Sequence, residues 1–105
     1  MAENDLTITE EEMGDATKLF AKGRVNSFSA NVLQFKLNEA FSKGKKSIIV
    51  NMMEVAFLSS AGIRVLLLFY KKAKEAGSGF YIESPSENVI NVLGMTALDE
   101  MLLKP

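Results

Sequence analysis

The passage from Phe57 to Tyr70, Phe-Leu-Ser-Ser-Ala-Gly-Ile-Arg-Val-Leu-Leu-Leu-Phe-Tyr, holds the residues whose types and spacing come nearest to chemistry. Two hydroxyls, Ser59 and Ser60, stand where a strand gives way to a helix. The first amides of a helix lack partners within it, and either serine can cap them. A serine nucleophile is a second option, but it needs a base, and here only a lysine or a carboxylate could serve. A third is contact with nucleotide phosphates at the helix N-terminus, although no Gly-rich phosphate loop accompanies the doublet. Gly62, inside the first turn, costs about 1 kcal/mol against alanine, so its presence suggests a close approach to the backbone there.

The helix after the serines is apolar nearly all the way round, more than one sheet requires. If Val65, Leu66, Phe69 and Ala73 face the sheet, then Leu67 or Leu68 is left near solvent. Ser60, Arg64, Leu67 and Lys71 fall along one line of the helical wheel. An apolar side chain framed by a serine, an arginine and a lysine reads as a surface for a partner protein, with Leu67 taken as its apolar member.

Composition narrows the function further. The 105 residues contain neither cysteine nor histidine. Disulfides, thiol redox chemistry and thiolate metal sites are therefore excluded, as are Ser-His-Asp triads and zinc-histidine sites. No enzyme activity, cofactor or metal is expected. With 12 basic and 13 acidic residues the net charge is −1, which gives no field for a polyanion, and nucleic-acid binding is not expected. The acidic start lacks the features of a signal peptide, and the longest apolar run, Val65 to Tyr70, is far short of a membrane span. The expectation is a cytoplasmic protein with no membrane insertion, a single domain over residues 1–105 with its core at about 6–103.

The elements that must position the serines follow from the pattern. Leu6, Ile8 and Glu10 open a strand, Gly14-Asp15 turns the chain, and Ala16 to Lys22 returns it as a hairpin. Ser27 or Ser29 can cap a helix reaching about Lys43, with Gly44 as its stop. Phe28, Val32 and Phe35 lie on one line of that helix, beside Leu33, Leu37, Ala40 and Phe41, and all are read as core. Ser47 to Met52 reads as a central strand buried on both faces. Val55 to Leu58 leads into the serines, and the second helix runs from about Ala61 to Ala76. Phe80 to Ile82 is a short strand. Ser84-Pro85-Ser86-Glu87 starts a third helix that Gly94 ends, and Leu98 to Leu103 gives one last turn. The fold class is α/β, a mixed sheet with helices mainly on one face, in the order ββαβαβα(α).

The order of elements, together with Phe57-Leu58-Ser59-Ser60-Ala61-Gly62-Ile63, resembles the STAS domain of bacterial anti-sigma factor antagonists, a partner-switching family. Gly23-Arg24-Val25-Asn26 is similar to the family's Gly-x-x-Asp. Ile48-Ile49-Val50-Asn51-Met52 is similar to its apolar strand with a central Asp or Asn. Val89 to Gly94 and Thr96-Ala97-Leu98 resemble its closing helices. The resemblance implies a phosphoprotein that binds an anti-sigma factor serine kinase and releases the sigma factor for transcription. In that scheme the kinase phosphorylates the antagonist on one serine and expels it, and a PP2C-type phosphatase resets it. By position the acceptor is Ser60, with Ser59 the alternative; Ser59 takes the place of the family's Asp. The implied partner-binding residues are Asn26, Ser59, Ser60, Ala61, Gly62, Arg64, Leu67 and Lys71. The other reading is a STAS scaffold without a phosphorylation cycle, serving a transporter or sensory complex.

Overall fold

In a computed structural model of the chain, which describes residues 5–103 apart from the side chains of 99 and 100, four strands form one sheet in the order β1-β2-β3-β4. The strands are β1 (Leu6–Met13), β2 (Ala16–Val25), β3 (Ser47–Leu58) and β4 (Gly79–Glu83). The helices are α1 (Ala30–Ser42), α2 (Ser60–Ala76), α3 (Glu87–Met95) and α4 (Asp99–Leu102). β1 and β2 are an antiparallel hairpin, whereas β3 runs parallel to both β2 and β4. The sheet is thus mixed, as the hairpin followed by crossover helices requires.

One face of the sheet is covered. Leu19 and Ala21 of β2 and Ile48, Val50 and Met52 of β3 are buried against the helices. Their alternates Lys18, Phe20, Ile49 and Asn51 point the other way and are half-buried or exposed. The expected two-faced burial of β3 is therefore wrong. Both crossover helices lie on the same side, so alternate side chains of its β-branched run have no layer to enter. β3 is also longer than the run suggests, because pairing with β2 continues to Leu58 through two register shifts. The strand consequently delivers the chain to Ser59 without an intervening loop.

The second helix follows its sequence pattern closely. Val65, Leu66, Phe69 and Ala73 are buried, and Gly77 stops the helix in the left-handed conformation at φ 73°. α1 departs from expectation. Leu33, Leu37 and Ala40 are core, but Phe28, Val32 and Phe35 are exposed to solvent. Two apolar stripes compete for one sheet, and the helix buries the one with the smaller, aliphatic side chains. The third helix does not stop at Gly94. It runs to Met95, and Ala97 takes a left-handed φ of 60° while Leu98 N–H donates to Leu93 O and Ala97 N–H donates to Gly94 O. That bond pair is the Schellman arrangement, with alanine at the position glycine usually holds.

Candidate functional site

The site begins where β3 becomes α2. Ser59 is extended, its N–H donates to Val25 O at 2.8 Å, and its Oγ accepts from the Gly62 N–H at 3.3 Å. Its hydroxyl is thus engaged as the N-cap. Ser60 is the first helical residue and is exposed, and among the described residues its hydroxyl has no hydrogen-bond partner within the chain. The two serines, equivalent in the sequence, therefore have different jobs. One closes the helix and the other is presented.

Electrostatics at this end favour an anion. The N-terminus of a helix carries about half a positive charge from its unpaired amides. The first turn of α2 has no acidic residue, and Arg64 stands exposed one turn on. A phosphate on Ser60 would meet free amide dipoles and a guanidinium rather than a carboxylate.

Gly62 serves the fold. A Cβ built there would stand 2.6 Å from Val25 Cγ1 and 2.7 Å from Leu58 Cδ1. The close approach that the glycine signalled is made by the chain's own β2 and β3, which draw the first turn of α2 down onto the sheet. Gly62 is buried and offers no side to a partner, whereas Ala61 is half-buried at the rim of a groove between α1 and α2.

Asn26 lies at the end of β2. Its Oδ1 accepts from the N–H groups of Phe28 and Ser29 at 2.9 and 2.8 Å, and its Nδ2 donates to Asp5 Oδ2 at 2.7 Å. The start of α1 is therefore held by Asn26. Ser29, expected as a candidate cap, is the N-cap residue but makes no side-chain cap bond; its hydroxyl donates to Arg24 O at 2.6 Å. The pairing with Asp5 also explains the amide at 26, since a carboxylate there could not donate and would face a second carboxylate.

Arg64, Lys71 and half-buried Leu67 lie on the outer side of α2. Leu68, named in the sequence as the alternative to Leu67, is the more exposed of the two and lines the α1–α2 groove with Ala61, Arg64 and Val65. The signal was present as the turn-by-turn repeat Ser60, Arg64, Leu68, which a line drawn through Leu67 bypasses.

The family model described as STAS domain matches residues 7–105. The chain belongs to the STAS domain family. BtrV of Bordetella bronchiseptica, provisionally named an anti-sigma factor antagonist, is 33% identical over 54 residues. That match covers 51% of this chain and 47% of BtrV, so it spans about half the length of this curated relative. Among solved structures, an anti-sigma factor antagonist from Mycobacterium paratuberculosis superposes with a TM-score of 0.86 at 18% identity, covering 99% of this chain and 89% of that one. Unphosphorylated SpoIIAA gives 0.80 at 16% identity, with 94% and 88% covered. SpoIIAA of Bacillus in its phosphorylated form gives 0.72 at 16% identity, with 94% and 91% covered. At these identities the structural likenesses establish the STAS fold for this chain. Among the described residues, no helix is long and apolar enough to cross a membrane.

Proposed function

We propose that this STAS domain is a cytoplasmic anti-sigma factor antagonist without catalytic activity of its own. It binds an anti-sigma factor serine kinase through the Ser60 end of α2 and thereby releases a sigma factor. Phosphorylation of Ser60 expels it, and a PP2C-type phosphatase resets it. The observation that carries this reading is the division between the two serines. Ser59 Oγ accepts the Gly62 N–H, while the exposed Ser60 hydroxyl has no partner among the described residues. Only Ser60 can enter a kinase active site without uncapping α2. Support also comes from the family, and from SpoIIAA, a fold neighbour that exists in phosphorylated and unphosphorylated forms.

The physics of the switch places its effect at the interface. A phosphoserine brings about −1.5 to −2 charges and three acceptor oxygens. At the N-terminus of α2 that charge is tolerated, so the fold is unchanged. Against a partner the same dianion must be desolvated, and a hundredfold loss of affinity needs only about 2.8 kcal/mol. The experiment is calorimetric titration of the chain against a serine-kinase anti-sigma factor from the same organism. Wild type should bind, and Ser60→Asp should bind at least about a hundredfold more weakly at an unaltered melting temperature. Equal affinities, or a collapse in melting temperature, would overturn the interface switch.

A further inference from the structure

Arg64 stands four residues after Ser60 on α2, exposed, and it also lines the groove of about 460 Å³ between α1 and α2. Residues four apart on a helix are neighbours, with roughly 5–6 Å between their Cβ atoms, and helical side chains lean toward the N-terminus. The side chain of Arg64 therefore leans over the turn that begins with Ser60. An anion four residues before a cation is the favourable order for such a pair.

The guanidinium has no competing hold. Among the described residues, every other lysine and arginine except Lys71 pairs with a carboxylate or lies over an aromatic ring. Lys71 is about three turns from Ser60 and out of its reach. The α2 positions three and four residues from Arg64 are Ser60, Ala61, Leu67 and Leu68, none of them a carboxylate. Among the described residues, Arg64 is also the one charged residue lining the groove, and its polar companions Ser27, Asn31 and Gln34 are neutral. Whatever pairs with Arg64 thus cancels the charge of the whole groove.

We propose that Arg64 is a relay. A phosphate on Ser60 pairs with its guanidinium, draws it toward the first turn of α2, and leaves the α1–α2 groove without charge. A guanidinium meets phosphate oxygens with two parallel N–H donors, so the pull is strong and directional. Modification at the tip of α2 thereby alters the Asn31 and Gln34 wall of α1. The inference rests on the reading of Ser60 as the phosphate acceptor, while the relay itself belongs to the phosphorylated chain, whichever enzyme adds the group.

The test installs phosphoserine at position 60 of the full chain during translation, so that no kinase is required. Proton–nitrogen correlation spectra are compared with and without the phosphate in wild type, Arg64→Gln and Arg24→Gln. Arg24 and Arg64 are the chain's two arginines, so each Nε–H signal is assigned by its loss in the matching variant. In wild type the phosphate should shift the Arg64 Nε–H signal and the side-chain amide signals of Asn31 and Gln34, leaving Arg24 in place. Arg64→Gln should abolish the Asn31 and Gln34 shifts, and Arg24→Gln should preserve them. An Arg64 signal that the phosphate does not move overturns the relay. Asn31 and Gln34 signals that shift as far in Arg64→Gln as in wild type, or that shift in neither, overturn it too. Loss of the response in Arg24→Gln makes Arg24 the phosphate's partner and has the same consequence. Failure of a serine-kinase anti-sigma factor to phosphorylate Ser60 counts against the antagonist reading alone, whereas a relay that fails in the phosphoserine chain leaves that reading intact.

Discussion

Gly62→Ala sets helix propensity against packing at the point that fixes Ser60. On propensity alone, alanine is preferred over glycine inside a helix by about 1 kcal/mol. Space argues the opposite. The new Cβ would lie 2.6 Å from Val25 Cγ1 and 2.7 Å from Leu58 Cδ1. Carbon pairs at their optimum stand roughly 3.5–4.0 Å apart. Leu58 meets the newcomer with the far end of a flexible side chain and can rotate aside. Val25 is fully buried and β-branched, so it has little torsional freedom to give. Overpacking of this kind costs about 1–3 kcal/mol. Set against the propensity gain, a net loss of up to about 2 kcal/mol results, a fall of up to roughly 9 °C in melting temperature for a domain of this size.

Val25→Ala removes the obstructing methyl and leaves a space that the alanine at 62 can enter. In that background Gly62→Ala should be neutral or stabilising, giving a coupling energy of at least about 1 kcal/mol in the double-mutant cycle. The chain has no tryptophan, so the assay is urea unfolding followed by far-ultraviolet circular dichroism. A stabilising Gly62→Ala in the wild-type background, or a cycle additive within about 0.5 kcal/mol, would refute the packing account.

Asn26→Asp should destabilise by about 1–3 kcal/mol, because it turns the 2.7 Å bond to Asp5 into a contact between carboxylates; adding Asp5→Asn should recover most of the loss in the same unfolding assay. Ser59→Ala should cost about 1 kcal/mol by removing the cap on Gly62, whereas Ser59→Asp should keep wild-type stability, since aspartate caps equally well. Thermal melts of the two variants should differ by roughly 4 °C, and identical melts would mean the cap contributes nothing. Ala97→Gly should stabilise by about 0.5–1 kcal/mol, relieving a Cβ held at φ 60° against the extra freedom glycine gains when unfolded; a drop in melting temperature would contradict that strain.

The parts of the fold legible in the sequence are those where one physical signal acts alone. α2 shows its apolar period, a serine at its start and a glycine at its stop, and its buried residues follow. The hairpin turn at Gly14 is equally plain. α1 presents two apolar stripes, and side-chain type does not say which of them the sheet takes, so Phe28, Val32 and Phe35 read as core although they face solvent. The β-branched run of β3 suits burial on one face as well as on two; only the placement of both crossover helices on one side decides. Gly94 looks like the stop of α3 because glycine usually is, while the chain uses Ala97.

The site divides the same way. Ser59 and Ser60 stood out as a pair, but which one caps depends on backbone geometry at the strand end. The bond from Asn26 to Asp5, 21 residues away in sequence, has no local signal at all. Leu67 was taken over Leu68 because the choice between adjacent leucines turns on the position of α1, which lies outside the helix that carries them.

The central claim, that Ser60 is presented for modification while Ser59 holds the helix, is tested most directly by intact-mass measurement. Wild type, Ser60→Ala and Ser59→Ala are each incubated with the serine-kinase anti-sigma factor and ATP. Wild type and Ser59→Ala should each gain the mass of one phosphate, and Ser60→Ala should gain none. No gain on wild type, or a gain that survives Ser60→Ala and disappears in Ser59→Ala, would contradict the account.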